Sequence, residues 1–178
     1  MDVAVLSLNS ALRLLDYDFK YGHSAIPDHL FFLKKHNSFF DAIENIVFVG
    51  YPNSIYDRVN YLPISRKGIT ATPISNDYLG NPCFLIDAVV LRGSSGSPVF
   101  TFDFGADSEK PYTARVRHFF LGILSLRYKY SETEVLSLVD NNLDRNELVN
   151  LGVVIKPEII ISTIEKDIKD KGNQYIIR

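Results

Sequence analysis

Cysteine is nearly absent, with Cys83 alone among 178 residues. One thiol excludes a disulfide framework and any multi-cysteine zinc or iron–sulfur centre, and it fits a reducing location, expected to be the cytoplasm. Neither sign of charge predominates: 19 Lys+Arg face 21 Asp+Glu, a formal net charge of −2. A nucleic-acid partner is therefore not expected, because such a surface needs a basic stripe to meet phosphates. Long apolar runs are missing as well, and none approaches the ~20 residues that a bilayer core demands. Met1 to Leu15 is the most apolar opening, yet Asp2 stands where a secretory leader carries positive charge, and Asn9, Ser10, Arg13 and Asp16 interrupt it. No membrane association is expected. Internal repeats and low-complexity tracts are also absent.

What remains is an ordinary globular composition, 46% hydrophobic and 22% charged. A chain of this length buries roughly 70% of the surface it exposes when unfolded, enough for one core without staples. The short β-branched run Asp2-Val3-Ala4-Val5-Leu6 reads as a strand. From Ser7 to Phe40 the pattern turns helical: Leu8, Leu12, Leu15 and Phe19 recur at near-helical spacing, and a second helical stretch starts at Ile26-Pro27-Asp28. Beyond Asn45 the chain reads as all-β. Strands are expected at 46–49, 65–74, 83–91, 98–102, within 115–130 and at 151–155, with Gly50-Tyr51-Pro52-Asn53 and Gly105-Ala106-Asp107-Ser108 as turns. Pro157 opens a closing helix with Ile159, Ile160, Thr163, Ile164 and Ile168 near one face, and Lys166, Lys169 and Lys171 load its C-terminal end. Six or so short strands with turns between them point to a small barrel or sandwich.

The sharpest chemical signal is Gly93-Ser94-Ser95-Gly96-Ser97-Pro98, set between two apolar strands. A nucleophilic serine needs a tight turn that glycine permits, so that its hydroxyl is exposed and nearby backbone N–H groups can face one point. Donors so placed stabilise the oxyanion of a tetrahedral intermediate. The stretch resembles the nucleophile loop of trypsin-like, chymotrypsin-fold serine peptidases, Gly-x-Ser-Gly-Gly/Ser-Pro. The α/β-hydrolase elbow fits poorly, since Ser97-Pro98-Val99-Phe100 leads into a strand and not a helix.

Three further segments are similar to that family, in its order. Gly122-Ile123-Leu124-Ser125 matches its Gly-Ile-Val-Ser strand, and Asn150 to Ile155 followed by a helix matches its closing strand and helix. Asp2-Val3-Ala4-Val5-Leu6 looks like the segment carrying the catalytic aspartate, 93 positions before Ser95. With Gly50-Tyr51-Pro52-Asn53, the whole chain resembles the C-terminal portion of bacterial trypsin-like peptidases. The resemblance implies a mainly β fold: a six-stranded Greek-key barrel with a helical excursion and a C-terminal helix, the first barrel largely missing. Residues 1–44 would be a first-barrel remnant plus helical linker, 45–155 the second barrel, and 156–178 the closing helix and tail. It assigns Ser95 as nucleophile, Asp2 as orienting acid, and the N–H groups of Gly93 and Ser95 as the oxyanion hole. It walls the specificity pocket with Ala88, Val89, Val90 and Leu91 on one side, Val90 and Leu91 nearest the substrate, and Ser125, Leu126 and Arg127 on the other. No acid lies at that pocket's base, so a preference for Lys or Arg is not expected. The substrate is a polypeptide and no cofactor is implied.

One residue of that constellation has no counterpart. In the chymotrypsin order the histidine precedes the aspartate, and Asp2 leaves no room before it. Without an imidazole to take its proton, a serine hydroxyl is a weak nucleophile. His23, His29 and His36 are spaced by six and seven residues, which misses the i, i+4 geometry of a metal site, and no metal is expected. A base relocated to His23 or His118 is the lesser alternative. The expectation is an N-terminally incomplete peptidase, inactive as this chain, whose Val3, Val5 and Leu6 strand would self-associate or pair with a missing barrel. A non-catalytic peptide-binding or scaffolding module of the same fold is the competing reading.

Overall fold

The computed structural model describes residues 25–106, 114–127 and 150–170. Six strands follow in chain order: β1 (Asn45–Gly50), β2 (Ile64–Thr70), β3 (Cys83–Asp87), β4 (Pro98–Ala106), β5 (Ala114–Arg127) and β6 (Leu151–Ile155). Among the described residues one α-helix, α1 (Pro157–Asp170), succeeds them. The strands close into a barrel in the order β1-β2-β3-β6-β5-β4, every pair antiparallel. Closure gives each strand a partner on both sides, most briefly between β2 and β3.

Period-two burial builds the inside of the cylinder. On β1, Ile46 and Phe48 are buried while Val47 and Val49 are partly exposed. Phe48, Phe84, Ile86, Val99, Leu121, Leu124 and Val154 meet in one core cluster. Strand β3 departs from alternation because both of its faces are covered. Cys83 and Leu85 are buried as well, under a segment that bonds to them through Tyr78 N–H to the Cys83 carbonyl (3.0 Å) and Ala71 N–H to the Leu85 carbonyl (2.8 Å). Burial also pushes the Cys83 thiol up from its ordinary pKa, holding it in the unreactive protonated form.

Several element boundaries differ from the sequence reading. The expected strand 65–74 ends at Thr70, because the chain turns there to cover β3. The expected strand 83–91 ends at Asp87; Ala88 and Val90 stay in the core without ladder pairing beyond the last β3 residue. Gly105 and Ala106 pair with Arg115 and Ala114 and extend β4, where a loop was expected. The helical stretch expected from Ile26 is not an α-helix. It contains two short 3-10 turns, Asp28–Leu30 and Lys34–Phe39. Between them Phe32 N–H donates to the Phe120 carbonyl at 2.9 Å, and Phe31 bridges Phe120 in parallel. The aromatic residues there face β5, Phe31 against Phe120 at 4.9 Å and Phe40 against Phe119 at 5.4 Å between ring centroids. A continuous helix could not give the chain that strand-like contact. The expected strand 2–6 and the helical run from Ser7 lie outside the described residues.

Two polar clusters tie the irregular segments to the barrel. Arg117 of β5 pairs with Glu44 through both guanidinium nitrogens (2.9 and 3.1 Å), while the Glu44 amide donates to Thr70 Oγ1 at 2.8 Å. Lys156, buried at the junction of β6 and α1, donates to Asp77 Oδ1 (2.6 Å) and the Asn76 carbonyl (2.8 Å). No helix among the described residues is long and apolar enough to cross a membrane.

Candidate functional site

Chain 91–98 joins the end of the β3 region to β4, and its sequence dictates a tight reversal. Gly93 and Gly96 both take positive φ, +83° and +86°, a region that side chains with a Cβ enter only at a cost. Within the turn, Ser94 N–H donates to the Leu91 carbonyl (3.1 Å) and Ser97 N–H to the Ser94 carbonyl (3.1 Å). Ser94 and Ser97 are buried and Ser95 between them is exposed. The turn thus presents one hydroxyl to solvent and folds its neighbours inward. Ser94 Oγ has no hydrogen-bond partner among the described residues.

The loop is held from two sides. Strand β5 takes one: Gly96 N–H donates to the Leu124 carbonyl (2.7 Å) and Leu124 N–H to the Ser97 carbonyl (2.9 Å). Ser95 Oγ donates to the Ser125 carbonyl at 2.6 Å. The second support is the turn after β1. Asn53 N–H donates to the Arg92 carbonyl at 2.7 Å, and a Cβ built on Gly93 would stand 2.9 Å from Asn53 N and 3.5 Å from the Tyr51 carbonyl oxygen. Asn53 itself has φ of +47°. At the end of β1, a Cβ on Gly50 would overlap Ser97 Oγ. Gly50 and Asn53 are therefore part of the loop's seating, a role the local sequence does not announce, since their partners lie some forty residues on.

The sequence-derived site residues fall as follows. Ser95 and Gly93 share the exposed turn, and neither backbone N–H is taken by an acceptor among the described residues. Val90 is buried in the core, where it faces Gly152, and Leu91 is partly exposed. Ser125 is partly exposed and accepts from Ser95. Leu126 and Arg127 continue β5, paired with Val153 and Gly152. Asp2 and His23 lie outside the described residues. His118 is placed opposite Phe102 on the β4–β5 ladder, seven residues before Ser125, about 23 Å of extended strand. That separation takes it out of reach of the Ser95 hydroxyl. His36 is engaged elsewhere: its Nδ1 accepts the Leu33 N–H at 3.1 Å and its ring lies 4.9 Å from that of Phe119. Burial first, and then Lys35, hold the His36 pKa below 6.5, so the neutral ring is favoured.

In this arrangement Ser95 is an ordinary alcohol. Its proton points at a carbonyl, which can accept a hydrogen bond but cannot carry the proton away. Among the described residues no group of three His, Cys, Asp or Glu side chains stands together as a metal site. No family model matches the chain, and neither a curated protein nor a solved structure matches it.

Proposed function

We propose that this chain is the nucleophile-bearing barrel of a trypsin-like serine peptidase, with Ser95 as the attacking residue. The observation that carries the reading is the exposed Ser95 hydroxyl on a turn bracketed by two glycines of positive φ and bonded to the edge of β5. The topology gives further support. Strands β1 to β4 lie in the spatial order 4-1-2-3, an order compatible with the Greek-key arrangement of the proposed fold, within the closed six-strand barrel.

In the proposed reaction, Ser95 Oγ attacks a peptide carbonyl and its proton passes to an imidazole supplied from outside the described residues. The developing oxyanion is met by the N–H groups of Gly93 and Ser95; removing one such donor typically costs ~3 kcal/mol of barrier. Collapse expels the amine, protonated by the same imidazole, and leaves an acyl-serine that water then hydrolyses. The Ser125 carbonyl would release Ser95 and accept a main-chain N–H of the substrate, which docks as an added strand.

The test is an organophosphonate probe offered to the protein expressed from its complete coding sequence, followed by intact-mass measurement and peptide mapping. One adduct on Ser95, lost in Ser95→Ala, is expected. No adduct, or one on another residue, would overturn the peptidase assignment. The second reading, a peptide-binding module of the same fold, is favoured by the Ser95 to Ser125 bond, which leaves the hydroxyl without a base. It expects no adduct together with retained peptide binding.

A further inference from the structure

The turn that supports the Ser95 loop continues into a tyrosine-rich hairpin standing on the surface. Tyr51, Ile55, Val59, Tyr61 and Leu62 are all large side chains at least half exposed, with Val59 at 84% and Tyr61 at 72%. Exposure of so many apolar groups in one short segment is unusual for a surface without a partner. The segment is nevertheless built rigidly. Asp57 N–H donates to the Leu62 carbonyl at 2.9 Å, and Asp57 carboxylate oxygens accept from the Val59 and Asn60 amides and from Asn60 Nδ2 (2.9, 3.1 and 2.8 Å). The Tyr51 hydroxyl donates to the Tyr61 carbonyl at 3.2 Å. The rings follow one another, Tyr51 to Tyr56 at 5.8 Å and Tyr56 to Tyr61 at 6.4 Å, the latter pair stacked.

Two features separate this hairpin from an ordinary sticky loop. Tyr61 has φ of +58°, a left-handed conformation costly for an aromatic residue, and such strain concentrates where a side chain must be held in a set place. The hairpin is also continuous with the nucleophile turn: the Tyr51 carbonyl and the Asn53 amide flank Gly93, two residues from Ser95. The base of the hairpin therefore lies against the same turn that presents Ser95.

We infer that the Tyr51–Leu62 hairpin is a specificity surface for the polypeptide bound at Ser95, taking apolar or aromatic side chains next to the reacting bond and disfavouring acidic ones. This rests on the reading of Ser95 as a peptide-handling site. The occupant is a substrate chain and not a second copy of the protein, because the platform starts against Gly93. Aromatic rings in a fixed row supply contact area at low entropic cost.

The test uses two fluorescein-labelled octapeptides in the Ser95→Ala background, where binding is read by anisotropy without turnover. One carries Phe-Leu-Phe within a Gly/Ser frame, and the other carries Asp in those three places. The apolar peptide is expected to bind more tightly, and Tyr61→Asn to weaken it by about tenfold, the loss that one well-packed aromatic anchor gives. Asn tolerates the left-handed backbone, so this variant keeps the hairpin. Tyr61→Phe should retain binding, and Val59→Ser, which removes only an exposed side chain, should weaken it more mildly. Equal binding of both peptides, or no change in Tyr61→Asn and Val59→Ser, would overturn the inference. So would an oligomer in sedimentation that Tyr61→Asn dissociates while peptide binding stays intact. Probe labelling of the unaltered protein reports on Ser95 separately. If Ser95 is unlabelled yet the apolar peptide binds through Tyr61, the hairpin surface stands and the peptidase reading falls.

Discussion

A missing Cβ and a short hydroxyl side chain decide where the Ser95 loop sits. Gly50 on β1 lets Ser97 approach so closely that any side chain at position 50 would overlap Ser97 Oγ. Gly50→Ala is expected to destabilise by about 2 kcal/mol through overpacking. In a Ser97→Ala background the nearest obstacle becomes the residue 97 Cβ at 3.2 Å, so the penalty should fall by more than half. A double-mutant cycle in urea measures that coupling, and additive losses would contradict the contact. His36 offers a second single-residue prediction. Its pKa is lowered in the folded chain, by burial and then by Lys35, so the unfolded chain binds more protons in mildly acid solution. The His36 contribution is therefore complete above about pH 6.5, the ordinary histidine value, and is lost as pH falls through the lower folded value. Urea midpoints across that range should show this slope, and His36→Gln should flatten it. At this scale the sequence displayed Ser95 plainly, because Gly93 and Gly96 stand beside it in the chain. It concealed Gly50 and Asn53, whose purpose depends on residues about forty positions away.

At the level of strands and turns, short apolar, β-branched runs were a good guide. Such runs located β1 and β6 almost to the residue. They overran on β2 and β3, because Ile74 and Ala88 to Val90 continue the apolar pattern, mostly buried, after the ladder has ended. The phenylalanine-rich segment 31–40 misled in the other direction: residues that cover a sheet in a 3-10 path have the same apolar content as one face of a helix. The link between loop 76–82 and α1 is carried by Lys156 and Asp77. Lys156 lies buried and its hydrogen bond holds the Asp77 carboxyl below the usual carboxylate range, although partial burial opposes that shift. Asp77→Ala strands the ammonium and is expected to cost about 2 kcal/mol, less than a fully enclosed pair because Asp77 itself faces solvent. Lys156→Met, which removes the charge and keeps much of the volume, should cost less. Thermal unfolding of the two variants checks the order, and the reverse order would mean that the lysine's packing matters more than its pairing.

For the molecule as a whole, the barrel holds the position of the Ser95 loop from outside, in addition to the turn bonds the loop makes within itself. β4 leaves the loop and pairs with β1, β5 bonds back to it, and the second support is the turn that directly follows β1, so the loop is fastened to the cylinder at both ends. The fastening around that cylinder is uneven. β4 and β5 are laced along the full length of β4, but β2 and β3 meet in only two ladder pairs, Ile69 with Asp87 and Thr70 with Ile86. Gentle warming should therefore loosen this one join first, while the strip from Ala71 to Pro82 stays fastened through Ala71 and Asp77 and exposes only its tip, where Leu79 already stands 77% exposed. Trypsin-free limited digestion with an enzyme that cuts after leucine should score the chain there first. The other five seams would stay laced, so the serine and its tyrosine-studded neighbour would remain on one continuous sheet.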